Sequence, residues 1–266
     1  CFEIEEKLKE KGVDVRSENT KVVATGYGRI AVEFADYVIT EITCHARGGR
    51  EMAGDNCTII DVGGQDTKVI IVKDGMVQDF LMNDKCSAGT GKFLEIMANR
   101  LGVTLQELFD MAEAGTVLPI SSLCTVFAES EVINYIGEGR KRGDIAAGVV
   151  DSVATKVAQL SQRKTFSEKA ILTGGLSDSN YFCKILSEKV NHKVETTWKI
   201  CRSAWSGTAC KREVKIILTS FLILGTCQFL HNVKNSTKKI ENSTKKTLFI
   251  TQVCVTIGLQ KNLWED

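Results

Sequence analysis

Residues 57–73 are C-T-I-I-D-V-G-G-Q-D-T-K-V-I-I-V-K, and their pattern decides the fold. Two apolar runs, Cys57–Asp61 and Thr67–Lys73, have the length and β-branched content of strands, and the connection between them contains two glycines. Asp74-Gly75 then predicts a turn into a third strand, Met76–Met82. The segment therefore predicts consecutive strands joined by short turns.

Helices and further strands surround this segment. Short apolar strands that end near glycines are predicted at Lys21–Thr25 and Ala170–Thr173. Four helices are predicted, at Gly91–Leu101, Leu105–Ala114, Thr125–Tyr135 and Ile145–Gln162. Such alternation of strands and helices predicts an α/β fold with a mixed or parallel sheet.

The composition is that of an ordinary globular protein. The chain has 266 residues, enough for one large domain or two small ones, and 43% of them are hydrophobic. A net charge of +1 is no argument for or against nucleic-acid binding. Ten cysteines are a high count for a chain of this length. Because the chain opens with an acidic, helical segment rather than a signal peptide, we expect a reducing cytoplasm in which thiols serve metal or redox chemistry.

The last 70 residues differ in composition from the rest. Residues 197–266 contain 11 Lys and Arg against four Asp and Glu, a net charge of +7, whereas residues 1–196 have a net charge of −6 and 19 of the 22 glycines. An apolar run at 216–230 is shorter than the roughly 20 residues that span a bilayer. The lysine-rich near-repeat at 235–247 has no amphipathic period and predicts an unstructured segment.

Two glycine pairs follow strands and can approach a ligand closely. Asp61 ends one strand, and Gly63 and Gly64 follow it. Glycines let backbone N–H groups approach an anion, and an aspartate at a strand end can hold the water shell of a metal beside phosphates. Gly174-Gly175 follows the strand at 170–173. The alternatives are a plain hairpin turn at the first pair and a structural strand-to-helix turn at the second.

Two cysteines, Cys86 and Cys124, each precede a predicted helix. The unpaired N–H donors and partial positive charge of a helix start stabilise a thiolate, or an anionic cluster bound through it. The chain has no C-x-x-C pair that would indicate zinc, and two cysteines are too few for a four-cysteine cluster. Two chains about a two-fold axis would supply four. The alternative is two buried, inert thiols.

Six segments together resemble the ATP-dependent activators of (R)-2-hydroxyacyl-CoA dehydratases, of the 2-hydroxyglutaryl-CoA dehydratase activator type. Those proteins belong with benzoyl-CoA reductase ATPase subunits in the acetate kinase, sugar kinase, Hsp70 and actin superfamily. The segments are A-T-G-Y-G-R (24–29), T-E-I-T-C-H-A-R-G (40–48), D-V-G-G-Q-D-T-K (61–68), N-D-K-C-S-A-G-T-G-K-F (83–93), S-S-L-C-T-V-F-A-E-S-E-V-I (121–133) and L-T-G-G (172–175). The two segments that contain Cys86 and Cys124 are what makes this resemblance specific.

The resemblance implies a two-lobed, ribonuclease-H-like α/β ATPase fold that binds ATP and Mg²⁺. The implied nucleotide-binding residues are Asp61, Gly63, Gly64 and Gln65, of the second phosphate loop, and Gly174 and Gly175, of the adenosine loop. Asp61 and Gln65 would have catalytic roles.

The resemblance also implies a [4Fe–4S] cluster that bridges a homodimer. Cys86 and Cys124 correspond to the two ligands that each subunit provides. Four further residues lie within the matching segments without an assigned role: Arg29, His45, Glu129 and Glu131.

The implied activity is ATP-dependent transfer of one electron. ATP binding would shift the two lobes and the helices that hold the cluster, and the electron would pass to a 2-hydroxyacyl-CoA dehydratase. Ferredoxin or flavodoxin would supply the next electron, and neither nucleic acid nor a membrane is expected as a partner. An exposed, oxygen-labile cluster implies an anaerobic host.

The chain departs from the family pattern at both ends. The family opens with a strand and an Asp-x-Gly-Ser/Thr phosphate loop, which has no counterpart here. We therefore expect a remnant of the first lobe at 1–56, a nearly complete second lobe at 57–196 and an aberrant tail at 197–266. One permitted set of codons for 198–209, read one base later, encodes G-K-Y-A-G-A-L-G-A-A-L, which is similar to the family's ending. A frameshift near Thr197 would explain the change in composition and predicts no stable fold in the tail.

Three alternatives to a dehydratase activator stay open from the sequence. The chain could be the ATPase subunit of a benzoyl-CoA reductase-like enzyme. It could be a cluster-free kinase or ATPase of the same superfamily, in which Cys86 and Cys124 only pack. It could also be a fragment without function.

Overall fold

The computed structural model describes residues 6, 9–10, 14–17, 20–121, 123–196, 246–250 and 255–258. They belong to two compact units, one drawn from the ranges Cys1–Gly48 and Thr208–Asp266, the other from Gly49–Gly207. The second unit begins eight residues before the boundary expected between residues 56 and 57.

Strands and helices alternate along the described chain. The strands are β1 (Thr20–Ala24), β2 (Tyr37–Val38), β3 (Cys57–Val62), β4 (Thr67–Lys73), β5 (Met76–Asn83), β6 (Lys169–Thr173), β7 (Val194–Thr196), β8 (Lys246–Ile250) and β9 (Val255–Gly258). The helices are α1 (Glu41–Ala53), α2 (Gly91–Leu101), α3 (Leu105–Glu113), α4 (Thr125–Gly137), α5 (Arg142–Ser161) and α6 (Asn180–Val190). Short 3-10 turns occur at Arg29–Ala31 and Gly175–Asp178.

The sheet of the first unit has the strand order β2-β1-β8-β9. β1 is parallel to both of its neighbours, and β8 and β9 are antiparallel. β8 and β9 lie within 197–266, for which the sequence predicted no stable fold. The presence of these two strands differs from that prediction. The apolar run and most of the near-repeat lie outside the described residues, and the frameshift stays a prediction.

The sheet of the second unit is five-stranded and mixed, in the order β5-β4-β3-β6-β7. β3 pairs antiparallel with β4 and parallel with β6, and β7 extends the parallel half. All six residues of β3 are buried, because this strand lies at the centre of the sheet. The turn between β3 and β4 and the end of β6 therefore lie at the same end of the sheet, where residues 61 and 173 are paired.

Helix α5 packs at the centre of the second unit. Twelve of its residues are buried, and most of them are alanine or valine. Gly148 lets the chain before α4 approach this helix, because a Cβ there would lie only 2.2 Å from the carbonyl oxygen of Leu118. The segment that leads to Cys124 is thereby packed against the core.

The sequence predicted most of these elements. The bounds of β4 and α2 are those predicted, whereas α5 begins three residues before its predicted start at Ile145. Six elements of the described chain were not predicted: β2, α1, α6, β7, β8 and β9. Within the described part of the chain, no helix combines the length and the apolar character needed to cross a membrane.

Candidate functional site

Asp61 lies near the end of the central strand and contacts a partner on each neighbouring strand. Thr173 Oγ1 donates a hydrogen bond to Asp61 Oδ1 at 2.9 Å, and Lys68 Nζ lies 3.7 Å from Asp61 Oδ2. All three residues are at most 2% exposed. The carboxylate is thus held in one orientation, and a buried ammonium group partly offsets its charge.

Lys68 is one of the largest fully buried side chains among the described residues. Its ammonium group also donates to Asp66 Oδ1 at 2.7 Å. Two carboxylates around one ammonium leave one negative charge at this end of the sheet, which suits a divalent cation with its water shell. The sequence analysis assigned no role to Lys68 or Asp66. The available signal was a lysine directly before the apolar run at 69–72.

The first turn of α2 fixes the loop that follows β3. The Gly91 amide donates to the carbonyl of Gly63 and the Lys92 amide to that of Gly64, both at 2.8 Å. The C=O and N–H groups of a trans peptide point in opposite directions, and none of the described peptides is cis. The amides of Gly64 and Gln65 therefore both point away from α2, as in the backbone nests that bind anions.

Gly63 closes the turn of the candidate phosphate loop. Its amide donates to the carbonyl of Asp66 at 2.9 Å. A Cβ on Gly63 would lie 3.0 Å from Asp66 Oδ1. Gly63 thus shapes the loop, and the amides of Gly64 and Gln65 face outward. The side chain of Gln65 is exposed.

Gly174 brings the end of β6 against the end of β3. Its φ of +83° is in the left-handed region, and a Cβ would lie 2.3 Å from the carbonyl oxygen of Val62 and 2.9 Å from Asp61 Oδ1. Gly175 is exposed and begins the 3-10 turn. The two glycine pairs of the sequence are therefore neighbours in the second unit.

Cys86 is half-buried in the loop between β5 and α2. The carbonyls of Cys86 and Ala88 both accept from Asn83 Nδ2, each at 3.0 Å. By the same trans-peptide argument, the amides of Ser87 and Gly89 point away from Asn83. The carbonyl of Gly89 accepts from a threonine hydroxyl of β4 at 2.6 Å, which ties the loop to the sheet.

Cys86 precedes α2, as the sequence predicted, but it is not the residue that caps this helix. The N-cap residue of α2 is Thr90, four positions after Cys86. The amides of Gly91 and Lys92 are occupied by the candidate phosphate loop, so the helix does not offer them to a sulfur. The outward amides of the Cys86 loop are the donors available there instead.

Cys124 is the N-cap residue of α4, as the sequence predicted. It is half-buried, and its thiol makes no capping hydrogen bond. Glu131, on the same helix, accepts a hydrogen bond from the amide of Ser121 at 2.6 Å and so fixes the segment before the cysteine. Cys124 therefore has a half-buried thiol at a helix N-terminus, a position that suits a metal ligand.

The two cysteine segments meet through their hydroxyl neighbours. Ser87 Oγ and Thr125 Oγ1 lie 2.7 Å apart and share a hydrogen bond. A hydroxyl oxygen lies two bonds from its Cα and consecutive Cα atoms are 3.8 Å apart, so the Cα atoms of Cys86 and Cys124 lie within about 15 Å of each other. The structure thus brings the two predicted ligands to the same region.

The other described cysteines have different surroundings. Burial raises the pKa of Cys57 to about 11, and it also raises the pKa of Cys44. Cys183 is buried and its thiol donates to the carbonyl of Val194 at 3.2 Å. These thiols have the environment of inert, packed cysteines.

Arg29 and His45, which had no assigned role, make local contacts in the first unit. Arg29 Nη1 donates to the carbonyl of Gly26 at 2.9 Å. His45 is buried, and its Nδ1 lies 2.9 Å from the carbonyl oxygen of Glu41, one turn earlier on α1.

The chain matches a known protein family over most of its length. The BadF/BadG/BcrA/BcrD ATPase family matches residues 3–203. The chain belongs to this family.

Similar proteins agree with this assignment. The 2-hydroxyisocaproyl-CoA dehydratase activator of Clostridioides difficile is 41% identical over 191 residues, 71% of this chain and 72% of that protein. The activator of lactoyl-CoA dehydratase of Anaerotignum propionicum is 48% identical over 157 residues, 58% of this chain and 61% of that protein. A solved structure of the 2-hydroxyisocaproyl-CoA dehydratase activator from Clostridium difficile, with bound ADPNP, is 35% identical with a TM-score of 0.67, and covers 90% of this chain and 83% of that chain. The predicted α/β ATPase fold is confirmed.

The described thiols of this BadF/BadG/BcrA/BcrD ATPase are expected to differ in reactivity. At pH 8, a thiol with a pKa of about 11 is ionised in about one molecule in a thousand, and it is also buried. Iodoacetamide should therefore label Cys86 and Cys124 well before Cys57 and Cys183 in the reduced, metal-free protein, as measured by peptide mass spectrometry. Equal labelling of Cys57 and Cys86 in the folded protein would contradict the described burial.

Gly174→Ala is expected to destabilise this family member more than Gly102→Ala. Both glycines have positive φ, but a Cβ at Gly102 would meet nothing within 4 Å, whereas at Gly174 it would overlap the backbone of β3. We expect Gly102→Ala to cost about 1 kcal/mol of unfolding free energy and Gly174→Ala about 3 kcal/mol. Urea unfolding measures both values. Equal losses would mean that β6 does not approach β3 this closely.

Proposed function

We propose that this chain is an ATP-dependent one-electron donor that activates a 2-hydroxyacyl-CoA dehydratase. Cys86 and Cys124, with the same residues of a second copy, would hold one [4Fe–4S] cluster. The observation that carries the proposal is the hydroxyl contact of 2.7 Å between Ser87 and Thr125, which lies next to both cysteines. The names of relatives at 41% and 48% identity support a dehydratase rather than an aryl-CoA reductase as the partner.

The nucleotide would bind at the end of the central sheet. The amides of Gly64 and Gln65 suit the phosphates, and Asp61 suits the water shell of Mg²⁺ because the buried charges around Lys68 leave one negative charge. Gly174 and Gly175 would border the adenosine. The exposed side chain of Gln65 can orient a water molecule beside the terminal phosphate, which is the role of a positioning amide in other phosphoryl-transfer enzymes.

The donor set around the two cysteines fits an anionic iron–sulfur cluster. Both thiols are half-buried, and the amides of Ser87 and Gly89 point outward from the Cys86 loop. Cys124 lies at the N-terminus of α4. Amide groups and helix N-termini directed at cluster sulfurs stabilise the added electron. When bound, the cluster would supply a one-electron carrier.

The start of α2 connects the two candidate sites. Its first amides hold the candidate phosphate loop, and the loop that contains Cys86 immediately precedes it. Thr67, at the other end of the phosphate turn, also bonds the carbonyl of Gly89. A change of the phosphate loop on nucleotide binding would therefore move the Cys86 segment directly.

An apolar surface on α4 supports a homodimer. Three large apolar side chains within three residues of Cys124 are between 63% and 74% exposed: Leu123, Val126 and Phe127. Such a cluster on a soluble protein marks an interaction site. A second copy would cover these side chains and bring its own two cysteines to the same place.

The remaining partners follow from the proposed chemistry. A donor that gives up one electron needs a reductant, and ferredoxin or flavodoxin are the classes of protein that we expect to supply it. The cluster would be shared across an interface and exposed to oxygen, so we place the protein in the reducing cytoplasm of an anaerobic organism.

Nucleotide binding tests the first part of this proposal. We expect Asp61→Asn to weaken binding of Mg²⁺–ADP by about 10-fold or more, because a carboxylate that orients the hydrated cation is lost. Asp79→Asn is the matched control. Asp79 lies on β5 of the same sheet and forms a surface ion pair with Lys164, so this substitution removes the same charge away from the site. Isothermal titration calorimetry measures both affinities. Unchanged binding by Asp61→Asn would remove Asp61 from the site.

Anaerobic reconstitution with iron and sulfide tests the second part. The expected product is a brown dimer with about four irons per two chains, and Cys86→Ser and Cys124→Ser should each lose most of this iron. Cys183→Ser is the control, because Cys183 is a buried thiol elsewhere in the same unit, and it should retain the iron. A colourless wild-type protein that still binds nucleotide would instead support a cluster-free ATPase.

A further inference from the structure

The segment with Cys86 is attached to the sheet of the second unit. Asn83, at the end of β5, bonds two carbonyls of the loop, and Thr67, on β4, bonds a third. Thr90 closes the loop, since its hydroxyl and amide both donate to the carbonyl of Ser87, at 2.7 and 3.0 Å. Four consecutive carbonyls, from residue 86 to residue 89, are therefore held by the protein.

The segment with Cys124 is attached to helices instead. The amide of Ser121 donates to Glu131 of α4 at 2.6 Å, and the carbonyl of Ser121 accepts from Ser152 of α5 at 3.2 Å. Tyr135, also on α4, donates to the carbonyl of Pro119 at 2.9 Å. The two cysteines thus belong to two separately anchored parts of one unit.

One hydrogen bond connects these two parts beside the cysteines. It is the bond between Ser87 and Thr125, and among the described residues no other hydrogen bond joins 84–90 to 121–128. Helices α2 and α4 also pack in the same apolar core, and their next polar contact is the ion pair of Arg100 with Glu129, farther along both helices. Each hydroxyl residue directly follows its cysteine, so a displacement of either one shifts a thiol.

We propose that Ser87 and Thr125 are a positioning pair that fixes the spacing of the two cluster ligands within one subunit. The inference rests on the proposed cluster and deepens it. With the bond intact, Cys86 and Cys124 of one chain move as a single body, and any nucleotide-driven rearrangement occurs between subunits. Without the bond, each thiolate follows its own anchor, and the iron becomes accessible to competing ligands.

The test measures iron release to a chelator from the anaerobically reconstituted full chain. Ser87→Ala and Thr125→Val should each release iron between about twofold and tenfold faster than wild type, the range that corresponds to one hydrogen bond. The double variant should be no faster than the faster single variant, because both remove the same bond. Thr125→Ser keeps the hydroxyl and should restore the wild-type rate.

Arg100→Gln is the matched control. It removes another polar contact between α2 and α4, one that involves neither of the residues next to the cysteines, and should leave the release rate unchanged. Urea unfolding of the metal-free variants separates stability from ligand spacing. Lower unfolding free energies with unchanged iron release would overturn the inference, as would equal acceleration by Arg100→Gln. Wild-type protein that binds no iron would overturn the proposed function and this inference together, whereas normal loading with unaltered release overturns this inference alone.

Discussion

Two hydrogen bonds, from the amides of Gly91 and Lys92 to the carbonyls of Gly63 and Gly64, are the constraint on which both candidate sites depend. A helix start usually leaves its first amides for a cap, water or a ligand. Here they hold a neighbouring loop, which turns the next two amides of that loop outward. Glycine at position 91 eases this contact, because a Cβ there would lie 3.2 Å from the Gly63 oxygen, closer than ordinary van der Waals contact. The same turn of helix ends the Cys86 loop, so nucleotide and thiol chemistry share one anchor.

The second requirement is a buried charge at the end of the central sheet. Asp61, Lys68 and Asp66 are all almost inaccessible to solvent, and such groups are tolerated only when they are paired. The antiparallel register of β3 and β4 provides the pairing, since it places residue 68 opposite residue 61. The site is therefore part of the sheet, and its geometry is set by strand pairing rather than by a flexible loop.

The elements that the sequence predicted well are those with strong local signals. β-branched runs bounded by glycines define β3 and β4, and helical spacing of apolar residues defines α2. Helix α1 was missed because it contains glycines. One of them, Gly49, is needed for packing, since a Cβ would lie 2.2 Å from Ile59 Cδ1. The surroundings of Cys86 could not be predicted, because the distance in sequence to a helix does not tell which residue caps it or which groups its amides already bond. The contact between Ser87 and Thr125 and the pairing of Asp61 with Lys68 both require the tertiary arrangement.

Asn83 restricts which mutations this protein can accept. One side-chain nitrogen donates to two carbonyls, so both of its protons are in use. Among side chains of that length, aspartate has no proton to donate when ionised, serine has one, and leucine has none. Single-nucleotide changes of an asparagine codon lead to several residues, but none of them supplies two donors from the same short stem. A change at this one position would release two peptide groups at once, and natural variation should therefore be rarer here than the partial exposure of the residue suggests.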